Sequence, residues 1–133
     1  MKLNSEDLRT FAARYTAAWC SQNAASVAAF FSLHGSLTIN DGTPSVGRAA
    51  ITETVHSFMT AFPDMRVAMD DLIIKGDRAA YHWTLTGTNI GPGGTGRYVA
   101  ISGFELWEFT SDGLIEKSLG HFDAQEYQRQ LEG

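Results

Sequence analysis

Cysteine is nearly missing from this chain. Cys20 stands alone, which excludes an internal disulfide and fits a reducing compartment. Runs of lysine or arginine are missing too, and the formal net charge is −5. Both observations exclude a nucleic-acid groove. No apolar stretch approaches the roughly 18–20 residues of a membrane span. The opening residues Met1 to Asp7 turn acidic at once and lack an apolar signal core, so a cytoplasmic location is expected. His34, His56, His82 and His121 show no ligand-pair spacing, so no metal is expected. No local Ser-His-Asp ordering supports a nucleophile. The glycine-rich segment Gly91 to Gly96 neither precedes a helix nor carries a phosphate-binding lysine.

What is present reads as a single domain, residues 1–133, with 44% hydrophobic and 19% charged residues, close to ordinary globular composition. Asn4 or Ser5 is placed to cap a first helix, with Glu6 and Asp7 at its positive end. Leu8, Phe11, Ala12, Tyr15 and Trp19 recur at helical spacing. After a break at Asn23 to Ser26, a short helix is predicted over Ser26 to Phe31. His34-Gly35 then turns the chain into a strand, Ser36 to Asn40, which ends at the Asp41-Gly42-Thr43-Pro44 turn. A third helix runs from Gly47 to Phe62, presents Ile51, Val55, Phe58, Met59 and Phe62, and stops at Pro63. Arg48 at its start reads as a solvated charge.

From Met65 onward the pattern is strand-like. Strands are predicted over Met65 to Ile74 and Arg78 to Thr88, followed by a hairpin whose strands meet at Ser111-Asp112-Gly113, and a short helix ending at Leu131. Helices segregated from an antiparallel sheet define an α+β domain with the helices on one sheet face. Tyr81, Trp83 and Leu85 on one parity and His82, Thr84 and Thr86 on the other leave no fully polar face. A homodimer through the outer sheet face is therefore expected.

One residue conflicts with its surroundings. Glu105 stands in Ser102-Gly103-Phe104-Glu105-Leu106-Trp107, where alternation puts Gly103, Glu105 and Trp107 on one face. On a buried face, Glu105 is a neutral donor or a general acid/base; otherwise it is a solvated or interface glutamate paired with a cation. Tyr15 serves either as a pocket donor or as a core tyrosine satisfied at the rim. Trp19, Phe58 and Trp107 are candidates for an aromatic pocket, though large aromatics also simply fill a core. His82 is either a satisfied sheet histidine or a cross-strand partner of Glu105. His121 and Asp123 flank Phe122 and so share a face if the strand continues. Asp123 also suits the cap of the last helix, with Glu126 completing a capping box.

The chain resembles the SnoaL-like polyketide (ester) cyclase group of the nuclear transport factor 2-like superfamily. The resemblance is carried by Arg14-Tyr15-Thr16-Ala17-Ala18-Trp19, Phe30-Phe31, Gly47-Arg48-Ala49-Ala50-Ile51 and Trp83-Thr84-Leu85-Thr86-Gly87-Thr88. Gly96-Arg97, Ser102-Gly103, Asp112-Gly113-Leu114-Ile115 and Arg129-Gln130-Leu131 extend it. It implies a cystatin-like, cone-shaped curved antiparallel sheet wrapped by three N-terminal helices, with a short C-terminal helix. It also implies a cofactor-independent enzyme moving a proton next to a carbonyl of a small apolar polyketide- or steroid-like ligand. The aspartate of such cyclases corresponds to Gly120 here, and their strand histidine falls at or beside Trp107. In the ketosteroid isomerase branch the oxyanion-hole tyrosine and carboxyl correspond to Tyr15 and Glu105. That branch's base falls on Thr38-Ile39-Asn40, with no carboxylate before Asp41.

The catalytic set expected on this basis is Tyr15, Glu105, His121 and Asp123, with Trp19, Phe58, His82 and Trp107 holding the ligand. The expected reaction is proton transfer by Glu105 or by His121 and Asp123, with Tyr15 on the oxyanion. The other class is a non-catalytic module binding an apolar ligand or a protein partner. Two titratable groups converging on one point favour the enzyme, and a single carboxyl in an aromatic wall favours the binder.

Overall fold

The computed structural model describes residues 4–133; the start of the segment read for a signal core, residues 1–3, lies outside the described residues. Asn4 caps α1 (Ser5–Trp19), its Oδ1 accepting from the backbone N–H groups of Glu6 and Asp7 at 2.9 and 3.3 Å. The buried stripe of α1 is Leu8, Ala12, Tyr15 and Ala18. Asn23 caps α2 (Ala24–Ala28), which therefore starts and ends earlier than the spacing predicts. The cap side chain fixes this boundary, and Phe31 becomes the first residue of a strand.

That strand, β1 (Phe31–Ile39), begins well before Ser36. His34-Gly35 is not a turn but part of an irregularity between Phe31 and Ser36, where β1 meets β6. A Cβ on Gly35 would stand 2.7 Å from the Ile115 carbonyl oxygen, so the close approach there requires glycine. A two-residue edge strand unforeseen in the sequence, β2 (Ser45–Val46), pairs with β1. Next comes α3 (Arg48–Ala61), which stops ahead of Pro63. Arg48 is more than a solvated charge. Its Nε and Nη2 both donate to the Phe31 carbonyl, at 3.0 and 2.9 Å, tying the start of α3 to the start of β1.

The remaining elements are β3 (Arg66–Lys75), β4 (Arg78–Thr88), β5 (Tyr98–Phe109), β6 (Ile115–Phe122) and α4 (Ala124–Glu132). The sheet order is β2-β1-β6-β5-β4-β3. The pairs are antiparallel except β1 with β6, which run parallel, a departure from the all-antiparallel expectation. The helical segment between β2 and β3 and the hairpin after β5 bring β6 back alongside β1. The result is an α+β fold, a curved six-stranded sheet with helices at the N-terminus and a short C-terminal helix.

Strand register sets which residues reach the helices. Across β4, β5 and β6 the inner face carries Tyr81 opposite Glu105 opposite Gly120, and Trp83 opposite Gly103 opposite Phe122. A Cβ on Gly103 would lie 2.6 Å from the Trp83 ring, so glycine lets that indole lie across β5. The outer face carries His82, Phe104 and His121 in one row. Among the described residues no helix is long and apolar enough to cross a membrane. No group of three His, Cys, Asp or Glu among them is placed to hold a metal ion.

Candidate active site

Glu105 is buried, 6% exposed, among the large apolar side chains of the core. Three donors converge on one of its oxygens. The Tyr15 hydroxyl donates to Oε1 at 2.9 Å, Trp107 Nε1–H at 3.1 Å and the Ser118 hydroxyl at 2.7 Å. They arrive from α1, from β5 itself and from β6, so the carboxyl is held from three directions. Oε2 has no donor among the described residues, yet it is not one of the sealed polar atoms without a partner.

Burial raises the pKa of Glu105, against the lowering effect of the bonds from Ser118, Trp107 and Tyr15. Desolvation therefore outweighs the hydrogen bonds. Because the Oε1 lone pairs are already occupied, a proton on this carboxyl sits on Oε2. Burial also raises the Tyr15 phenol well above its ordinary range, and the neighbouring Glu105 charge adds to it. Tyr15 thus stays protonated and remains a donor.

Glu105 forms part of the wall of a cavity between the helices and the inner sheet face, about 660 Å³ of empty space with its mouth included. Aromatic wall comes from Trp19, Phe58, Tyr81, Trp83, Phe122 and Tyr127, and aliphatic wall from Leu37, Ile39, Val67, Leu85 and Ile101. Glu105 is the one carboxyl among these lining residues. Such a site suits an apolar ligand carrying a small number of polar atoms.

A family model for SnoaL-like polyketide cyclase matches residues 9–131. The chain belongs to this family. No curated protein matches it in sequence. Among solved structures, TsrD from Streptomyces laurentii superposes with a TM-score of 0.82 at 17% identity, covering 97% of each chain. A protein of ketosteroid isomerase-like fold from Catenulispora acidiphila, solved with trimethylamine, gives a TM-score of 0.81 at 15% identity over 92% of each chain. The epoxide hydrolase/cyclase-like enzyme SalBIII, with a role in pyran ring formation in the polyether salinomycin, gives 0.79 at 17% identity. That alignment covers 92% of this chain and 95% of SalBIII. At these identities the likeness shows the fold.

Within this SnoaL-like frame the sequence-predicted residues divide. Glu105, Trp19 and Phe58 line the cavity. Tyr15 and Trp107 stand behind Glu105, both donating to Oε1, and Trp107 stacks on Tyr81 at 4.7 Å. His82 is not a cross-strand partner of Glu105. Tyr81 takes that place, and His82 pairs with Phe104 on the opposite face because alternation separates neighbouring parities. His121 borders the cavity, but its register partner is Phe104 and its ring lies 5.1 Å from that phenyl, on the outer row. Asp123 is exposed and caps α4, accepting from the N–H groups of Gln125 and Glu126 at 3.0 and 3.1 Å. The reciprocal half of the expected capping box is replaced, since the Glu126 carboxylate bonds Arg129 and Gln130 instead. His121 and Asp123 therefore do not converge with Glu105.

Sequence reasoning overlooked Ser118, Tyr81 and Tyr127. Ser118 is fully buried and sits opposite Trp107, one pleat along from Glu105's partner Gly120. Its signal was present as a serine at an inner-face position of the final strand. Tyr127 had no comparable signal, because α4 has no buried residue and reads as a surface helix.

Proposed function

We propose that this SnoaL-like chain is a cofactor-independent small-molecule enzyme that moves a proton next to a carbonyl, with Glu105 as the acid/base. The observation that carries the reading is the asymmetry of the Glu105 carboxyl, with Oε1 held by three donors and Oε2 left for the cavity. As a carboxylate, Glu105 takes the α-proton of a ketone on Oε2. As an acid, it returns that proton to the same or a neighbouring carbon. A raised pKa strengthens the base at the pH where it works. Tyr15, Trp107 and Ser118 position the carboxyl and do not touch the ligand. The aromatic wall supports a ring-bearing apolar substrate of polyketide or steroid type.

The test is deuterium wash-in at the α-carbon of β-tetralone in heavy water, comparing wild type with Glu105→Gln. In the variant the amide oxygen faces the three donors and the NH₂ faces the cavity, so binding persists while the base is gone. Wash-in lost with binding retained supports the enzyme. Equal wash-in in both proteins refutes it.

A second reading, a binding module for an apolar ligand or protein partner, draws on the solitary carboxyl in the cavity wall. It predicts β-tetralone binding with no wash-in by wild type. We also place the protein in the cytoplasm as one domain, residues 1–133, on the strength of its lone cysteine and near-complete family match. It would form a homodimer through the outer sheet face, where Tyr98, Ile73 and Leu106 are exposed.

A further inference from the structure

Enolate formation needs a donor at the carbonyl oxygen as well as a base at the α-carbon. The resemblance assigns that donor to Tyr15, but the Tyr15 proton goes to Glu105 Oε1 and its side chain is fully buried. The cavity wall offers few substitutes. The Tyr81 hydroxyl lies 2.5 Å from Thr16 Oγ1, and Thr16 itself donates to the Ala12 carbonyl, so the Tyr81 proton is committed to Thr16. Trp19 Nε1–H is sealed in the core, without a partner at hydrogen-bond geometry but near enough to the Tyr15 phenol to lower its pKa.

Tyr127 is different. It lines the cavity, its ring packs against Phe122 and Phe62 at 5.4 and 6.4 Å, and its hydroxyl has no partner among the described residues. Burial raises its pKa, so the phenol keeps its proton and remains a donor. The helix carrying it is fastened by a specific device. Strand β6 ends opposite Gly103, which leaves the earlier part of β5 without that neighbour. Gln130 occupies the gap. Its Oε1 accepts from Ala100 N–H at 2.7 Å and its Nε2 donates to the Ala100 carbonyl at 2.9 Å, as a paired strand would. The same Nε2 donates to Glu126 at 2.7 Å, which orients the amide. Asp123 caps the other end of α4.

We infer that Tyr127, held over the cavity by the Gln130–Ala100 clasp, is a catalytic residue that donates a hydrogen bond to the carbonyl oxygen of the substrate. The inference rests on the proposed proton transfer by Glu105. In the step, Oε2 of the Glu105 carboxylate takes the α-proton, the C–H pair becomes the enolate double bond, and the carbonyl π pair moves onto oxygen. Tyr127 keeps its proton and hydrogen-bonds that oxyanion. Return of the proton from Oε2 to carbon restores the carboxylate and needs no further reactant. The substrate class this selects is a ring-bearing ketone whose oxygen faces α4 and whose α-carbon faces β5.

Tyr127→Phe keeps the ring contacts and removes the donor. The wash-in rate of β-tetralone is expected to fall about a hundredfold in kcat, as for loss of one oxyanion donor. Binding, followed through the fluorescence of the cavity tryptophans Trp19 and Trp83, is expected to weaken far less. A wild-type kcat in Tyr127→Phe overturns the inference. So does an equal loss in binding and rate, which would make Tyr127 a packing residue. Gln130→Ala, which frees α4 while leaving Tyr127 in the chain, is expected to lower kcat as well, and a wild-type kcat there overturns the clasp. Failure of the Glu105 reading is told apart by Glu105→Gln, whose unchanged wash-in would refute the base whatever Tyr127→Phe does.

Discussion

The Ser118 hydroxyl on β6 donates to Oε1 of Glu105 on β5 at 2.7 Å, and both side chains are buried. The two residues are not register partners, because Ser118 lies opposite Trp107 and Glu105 opposite Gly120. The diagonal contact joins the Tyr15 and Trp107 bonds on the same oxygen and leaves Oε2 for the cavity. Ser118→Ala removes a bond that lowers the Glu105 pKa, so the pKa is expected to rise further. Stability is expected to fall by about 1–2 kcal/mol. Thermal unfolding and a carboxyl titration of the variant check the two effects.

Glu105 favours the fold more as the acid than as the carboxylate. Its folded pKa lies above the unfolded value, so its contribution is complete below the ordinary glutamate value of 4.5 and declines as pH rises through the folded pKa. Glu105→Gln is neutral at every pH and keeps an acceptor for the three donors. It is expected to raise the melting temperature at alkaline pH and to change it little in acid. Melting curves across pH read this directly; a variant less stable than wild type in alkali would contradict it.

The same ionisation governs catalysis. Since the carboxylate is the base, β-tetralone wash-in is expected to increase with pH and level off above the raised Glu105 pKa. A rate that falls with pH over this range would mean that the acid form is the active one.

Gly120 tests how much room the site holds. It faces Glu105 across the β5–β6 ladder, and a Cβ there would lie 3.4 Å from the Thr38 carbonyl oxygen and 3.8 Å from Glu105 Cγ, ordinary contacts. Gly120→Ala is therefore expected to fold. Gly120→Asp sets a second carboxyl beside Glu105, and like-charge repulsion is expected to drive the upper of the two pKa values higher. A wash-in profile displaced to higher pH in Gly120→Asp, and not in Gly120→Ala, is the expected result.

The strands after Met65 and the shared face of Gly103, Glu105 and Trp107 were legible in the sequence because alternation has a strict period; that this face is the inner one came from the strand register. The apolar stripe of α1 left Tyr15 open between pocket donor and core residue, and only the resemblance set it beside Glu105. Its bond to Oε1 was not legible, because a contact spanning 90 positions leaves no local trace. The early start of β1 was hidden by His34-Gly35, which reads as a turn and is instead an irregularity in a parallel pair. Tyr127 was hidden because α4 is amphipathic with no buried residue, and the bonds that fasten it run from a side-chain amide to the backbone of Ala100.

The most direct test is a carboxyl-carbon NMR titration of Glu105, run with the cavity empty and with β-tetralone bound. The predicted result is a titration midpoint above the ordinary glutamate value of 4.5 that moves when the ketone binds. An ordinary midpoint, unchanged by the ketone, would mean that Glu105 does not meet the ligand, and would contradict its role as the acid/base of this site.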